Sequence, residues 1–185
     1  MTKAVKILSI SIYAIAISVV SAIYAEESNV IKLSPPQFDR GKLLMQALKD
    51  RKSTRSFSAK ELPLDVLSNL LWAAFGVNRP DISKRTAPSA MNRQEIDIYV
   101  AMEKGVHKYD ASQHVLEPVM AKDIREFAGT QEFMRVSPVN LIYVADFSKM
   151  SGNEENKILF SAADTGFIRL RAYTPCVNPG INACR

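Results

Sequence analysis

At 185 residues, with 47% hydrophobic and 23% charged residues, the chain has the length and balance of one globular domain. The net charge is +5, but the first 25 residues hold Lys3 and Lys6 and no acid, so 22 basic residues stand against 19 acidic ones in the remainder. That surplus is too small and too scattered to argue for a nucleic-acid partner. The two cysteines, Cys176 and Cys184, have no His or Cys at metal-ligand spacing, which leaves a disulfide or two separate thiols.

Residues 1–25 have the form of a signal peptide. Lys3 and Lys6 make a positive start, Ile7 to Ala25 carry no charge, and Ser21, Ala22 and Ala25 supply small residues before a cleavage point at Glu26. A retained membrane anchor is the other reading, since the apolar run is nearly long enough to span a bilayer. Either places the folded part outside the cytoplasm, periplasmic or secreted. Any membrane contact is expected only through an uncleaved segment.

Residues 26–38, with Pro35-Pro36, read as an extended N-terminal arm, and residues 39–185 as the domain. Asp39 is a candidate N-cap for a helix through Leu43, Leu44, Ala47 and Leu48 to about Asp50. A stronger helix follows the basic stretch "RKSTRSF": Pro63 suits its first turn, Val66, Leu67, Leu70, Leu71, Ala74 and Phe75 form its apolar face, and Gly76 ends it. Asn78 to Pro88 reads as a polar loop. Ile96 to Glu103 alternates as a strand, and a small β-meander follows, with Val106 and Tyr109 in one strand and Val115 and Leu116 in the next. His107 is read as an exposed hairpin residue and His114 as structural. Short helices are expected in "AKDIREFAG" and "QEFMRVS", and the apolar run "VNLIYVADF" as a buried central strand. The acids of "NEENKILF" open a last helix, which Pro175 should stop. Helices first and strands mixed with helices later make this an α+β chain. No glycine-rich nucleotide loop, zinc-protease motif or nucleophile elbow occurs.

Two stretches carry candidate chemistry. In "RKSTRSF", Arg51, Lys52, Ser53 and Arg55 gather at a helix end. Cations there complement the helix dipole. They also form the set a phosphate requires, with two guanidinium forks, a point charge and a hydroxyl donor. In "RTAPSAMNRQ", Pro88 and Ser89 open a turn, and Asn92 and Gln94 carry amides. Such a turn is an ordinary strand entry. Its amides and exposed backbone could also read the edge of a flat heteroaromatic ring.

The order and spacing of "RKSTRSFSAKEL", "LSNLLWAAFGVN", "RTAPSAMNRQEIDIYVA", "KGVHKYDASQHVLE", "SPVNLIYVAD" and "SAADTGFI" resemble the nitroreductase family, in particular the branch similar to thiazole/oxazole dehydrogenase domains, over about Gln37 to Ile168. The resemblance implies a nitroreductase-like fold, a mostly antiparallel central sheet flanked by helices, in a homodimer with FMN at its interface. It implies hydride transfer from NAD(P)H through the flavin to a small acceptor such as a nitroaromatic or quinone. By carry-over, Arg51, Lys52, Ser53 and Arg55 would hold the FMN phosphate and ribityl side. Pro88, Ser89 and Ala90 would line the flavin, and Asn92 would reach its edge or the ribityl chain. No side chain is expected to act as an obligatory catalytic nucleophile, and no metal is implied.

Beyond Ile168 the pattern departs from the family. "RLRAYTPCVNPGINACR" stands where a Gln-Asn pair, a Glu-Gly turn, a further strand, a basic phosphate contact and a C-terminal arm are expected, so the sequence reads as a C-terminally truncated member. This leaves a second reading, a non-catalytic remnant or binding module with impaired flavin binding. A third is an enzyme that modifies a peptide with the help of partner proteins.

Overall fold

The structure, a computed structural model, describes residues 29–39, 43–53, 55–58 and 60–176. The signal segment expected at 1–25, the tail after Cys176 and Cys184 lie outside the described residues.

Strand β1 (Ile31–Lys32) and helix α1 (Leu44–Asp50) precede the longer helix α2 (Leu64–Phe75). The apolar spacing of α2 works as read. Pro63 caps it, and Leu67, Leu70, Leu71, Ala74 and Phe75 are buried. Gly76 ends it for a reason other than the expected one. Its backbone is extended (φ −68°, ψ 161°), so no left-handed turn asks for glycine. What excludes a side chain is room: a Cβ there would lie 2.5 Å from Trp72 Cδ1 and 2.6 Å from the Trp72 carbonyl oxygen.

Helix α1 corrects two expectations. It starts at Leu44 behind Leu43, with no side-chain cap, so Asp39 does not cap it. Its apolar residues also fail to reach the core. Only Ala47 is buried, while Leu43 is 80% exposed and Met45 75%. Periodicity identified the helix, but could not say what its apolar face meets.

The expected loop 78–88 is instead a small hairpin. Strands β2 (Val77–Arg79) and β3 (Lys84–Arg85) pair antiparallel around a single turn of 3-10 helix at Pro80–Ile82, and Ser83 closes it in the left-handed region (φ 50°). Polar composition hid these strands, because their side chains are largely solvated.

The main sheet contains β4 (Ile96–Met102), β5 (Gly105–Asp110), β6 (Val115–Met120) and β7 (Asn140–Ala145), with β1 at one edge. The order is β1-β6-β5-β4-β7, and every pair is antiparallel. Alternation in β4 turns Ile96, Ile98 and Val100 to the core, with Asp97 and Tyr99 between them half-buried. Pro118 is tolerated in β6 because β1 pairs only with Val115 and Leu116, leaving the strand uncovered beyond them. Strand β7, expected at the centre, is an edge strand among the described residues. Its apolar run serves one face only: Leu141, Tyr143 and Ala145 pack on the core, while Val144 is 43% exposed.

His107 is not an exposed hairpin residue. The chain reverses earlier, after Met102, and His107 lies inside β5 opposite Val100, buried, with Nδ1 unpartnered. Burial lowers its pKa. His114 ties three segments together. Its Nε2 lies 3.0 Å from the Ser34 carbonyl oxygen and 2.8 Å from Ser68 Oγ of α2, and its Nδ1 lies 2.9 Å from the Tyr109 hydroxyl. A carbonyl can only accept, so Nε2 carries the proton and Nδ1 accepts from Tyr109.

A short helix α3 (Phe133–Val136) precedes β7, and a long helix α4 (Glu154–Cys176) follows it. Pro175 falls in the last turn of α4, so the helix ends with it rather than before it. The core joins α2, the inner face of β4 and β6, and Ile168 and Ala172 of α4. Leu71 is wholly buried at this junction. Leu71→Ala is therefore expected to lower stability by about 2–5 kcal/mol, seen as a lower denaturant midpoint at unchanged slope.

Candidate functional site

The stretch after α1 is neither helix nor strand. The Arg51 N–H makes the last turn-like bond, 3.3 Å to the Leu48 carbonyl, and the chain then runs on toward α2. Along it lies a cavity of about 730 Å³, within the usual range for small-molecule sites. Arg51, Lys52, Ser53 and Arg55 all line it, so the structure brings together the whole first group of candidate residues. Arg169 of α4 adds a fourth cation, and none of the described lining residues is acidic. The walls are apolar and aromatic, with Phe57 and Phe133 in ring contact (centroids 5.6 Å apart) and Leu141 and Tyr143 contributed by β7.

Four cations gathered around one cavity favour an anion there. Three guanidinium forks, an ammonium and a hydroxyl beside apolar walls suit a molecule with a phosphate at one end and a flat ring system at the other. FMN has that form, and the donor set fits it.

Arg169 was missed by sequence reasoning. It lies in "RLRAY", beyond Ile168, where the sequence departs from the family pattern. Its only signal was helical spacing: three residues beyond Gly166, it shares the cavity-facing side of α4.

The second group, Pro88, Ser89, Ala90 and Asn92, does not line this cavity. It forms a tight turn at the entrance to β4. Met91, Asn92 and Gln94 all have positive φ (54°, 56° and 50°), a conformation that costs roughly 1–3 kcal/mol per non-glycine residue and persists only where neighbours enforce it. The enforcing bonds are present. The Ser89 hydroxyl accepts from the Gln94 N–H at 3.0 Å, and the Gln94 amide donates to the Ser83 carbonyl at 2.7 Å and to Asn92 Oδ1 at 3.3 Å. The Ala90 N–H donates to Asp164 Oδ2 of α4 at 2.7 Å. Pro88, Met91 and Asn92 remain exposed on the outer side of the turn.

Arg85 secures the turn from beneath. Its Nε donates to Gln94 Oε1 at 2.7 Å, a terminal nitrogen donates to the Phe75 carbonyl at 3.1 Å, and the guanidinium lies 4.6 Å from the Phe75 ring centroid. Arg85, within the stretch that reads as a polar loop, is thus a brace between α2 and the turn. Arg85→Met keeps the stem but loses both bonds. It is expected to cost about 2 kcal/mol and to lower the thermal midpoint, with Arg85→Lys recovering only part because the fork is lost.

The nitroreductase family model matches residues 48–181. The curated "putative nitroreductase" of Methanocaldococcus jannaschii is 30% identical over 116 residues, covering 57% of this chain and 58% of that protein. The chain thus spans less than two thirds of that relative's length. The crystal structure of a "putative nitroreductase" of Ralstonia eutropha superposes with a TM-score of 0.78 at 41% identity, covering 84% of this chain and 75% of that one. At 18% identity, a chain of the Escherichia coli microcin synthetase complex shares the fold, with a TM-score of 0.57 over 81% of this chain and 64% of that one.

Proposed function

Because the chain belongs to the nitroreductase family, whose members are flavin-dependent oxidoreductases, we propose that it is an FMN enzyme that takes hydride from NAD(P)H and passes it to a small organic acceptor such as a nitroaromatic or quinone. The observation that carries this reading is the cavity that Arg51, Lys52, Ser53, Arg55 and Arg169 line together, beside the aromatic and aliphatic walls of Phe57, Phe133 and Leu141. A phosphate monoester carries close to two negative charges at neutral pH, and this is where its charge would be met. When bound, FMN supplies the redox chemistry. The protein's part is to hold the phosphate with forked donors and to keep water from the ring with Phe57, Phe133 and Leu141.

Pro88, Ser89, Ala90 and Asn92 stand apart from that cavity. We assign them to the flavin cavity of a second copy, so that one site uses the basic stretch of one chain and the turn of its partner. Two exposed apolar faces support a homodimer. On α1, Leu44, Met45 and Leu48 are exposed, as is Leu43 before it, and on α4, against which α1 lies, so are Ile158, Leu159, Phe160 and Phe167. Monomers rarely expose patches of this kind. The expectation of export rests on residues 1–25 alone.

Two measurements test the reading. The double variant Arg51→Ala/Arg55→Ala removes two of the forks and is expected to weaken FMN binding by about 100-fold or more, at about 1.5–3 kcal/mol per charged hydrogen bond. Fluorescence titration of FMN gives the value. Unchanged affinity would place the phosphate elsewhere, and a wild-type chain that binds no FMN would favour the remnant reading. Leu159→Asp places a charge in the α4 face and should shift the wild-type dimer to a monomer in sedimentation, with loss of flavin at the same protein concentration.

A further inference from the structure

Among the described residues two acids are buried, and they face the same turn. Glu95 is fully buried at the mouth of β4, directly after Gln94, and Asp164 is 3% exposed on α4. The Glu95 carbonyl accepts from the Asp146 N–H at 2.9 Å, which fixes its backbone to the end of β7. Its two carboxyl oxygens are buried and neither meets a donor in hydrogen-bonding geometry. Asp164 takes the Ala90 N–H on Oδ2 at 2.7 Å. A buried carboxylate with no donor is not kept ionised in such a place, so Glu95 is expected to hold a proton.

We propose that Glu95 holds a proton and donates it in a hydrogen bond to Asp164, and that this bonded pair is the lock that fixes the 88–94 turn to α4. In this role Asp164 is a positioning residue: it orients the Ala90 N–H, and through it the strained backbone of Met91 and Asn92. Glu95 keeps Asp164 in place through that hydrogen bond. Only the flavin consequence rests on the FMN reading; the lock itself does not.

The charged groups around the pair support this. Burial raises the Glu95 pKa most. Its own backbone N–H opposes that rise, Asp164 adds to it, and Lys149 opposes it least. Lys149 is engaged elsewhere, 3.3 Å from Asp97 and 3.7 Å from Asp146. Arg93 turns away to the Lys149 carbonyl and Ser151 Oγ. Lys157 of α4 donates to the Phe147 carbonyl at 3.3 Å. Each nearby cation thus has its own acceptor, and a proton remains to neutralise Glu95.

The sign of the pH dependence follows. A carboxyl whose pKa is raised on folding adds stability that is complete below its ordinary range, near pH 4. That stability is lost as pH rises through the raised value. The thermal midpoint of the full chain should therefore fall as pH rises above the ordinary carboxyl range. Glu95→Gln is uncharged at every pH and can donate to Asp164. Its midpoint should match wild type at the acid end, exceed it at the alkaline end and show a flatter profile. A Glu95→Gln profile as steep as wild type, or displaced equally at all pH values, would overturn the protonated Glu95. Asp164→Ala should weaken FMN binding about tenfold while Asp164→Asn, which still accepts from Ala90, restores it. Equal affinity in both would show that Asp164 does not position the turn. Should Asp164→Ala fail to fold, or the chain bind no FMN, the Glu95→Gln profile still decides the lock.

Discussion

The burial of α2 is the constraint on which the other elements depend. Leu71 and Ala74 have no exposure, and Leu67 and Phe75 almost none. A helix enclosed to this degree fixes whatever packs around it, because the interior is too dense to let neighbours slide. Strand β4 offers it Ile96, Ile98 and Val100, and α4 offers Ile168 and Ala172. The two features of functional interest lie at the margins of this packing. The cation-lined cavity opens where the chain enters α2, bounded by Leu62 and Leu70 on one side and by α4 and β7 on the other. The 88–94 turn sits where the chain leaves α2 and reaches β4. Neither has a core of its own, and both take their positions from α2.

Polar contacts then refine what packing alone leaves loose. The turn holds three non-glycine residues in left-handed conformations, which an isolated segment would not keep. Arg85 from below, Gln94 from within and Asp164 from α4 each remove one way for it to relax. Polar contacts of this kind select one arrangement over its neighbours. The His114 node does the same at the far end of the sheet, where β1 is too short to hold itself in place. There one imidazole joins the arm at Ser34, α2 at Ser68 and β5 at Tyr109.

The sequence pattern was informative wherever one face of an element is buried and the other is not. It marked α2, β4, β5, β6 and α4 by period, and Arg51 to Arg55 by the density of cations and hydroxyls. It erred where the same composition serves two settings. The apolar run of β7 reads like a central strand, yet one face suffices to explain it. The leucines of α1 read like core and are not. The hairpin at 77–85 is polar on both faces, so it has no period to detect. Glu95 was unreadable for another reason. An acid before a strand is ordinarily a surface residue, and only the fold shows that Asp164, 69 residues later, lies beside it.

The exposed leucines of α1 and the cations just beyond it belong to one physical problem. A seven-residue helix with one buried side chain has too little nucleating strength and too little packing to fix the stretch that follows it. The cations of that stretch share one cavity and repel one another. An anion would remove the repulsion, and a second copy over α1 and α4 would bury the leucines. Each would favour the other: covering α1 orders the residues that hold the anion, and holding the anion fixes the end of the helix that the partner covers. Ligand binding and association would therefore be coupled through α1, with the chain's least-packed helix carrying the coupling.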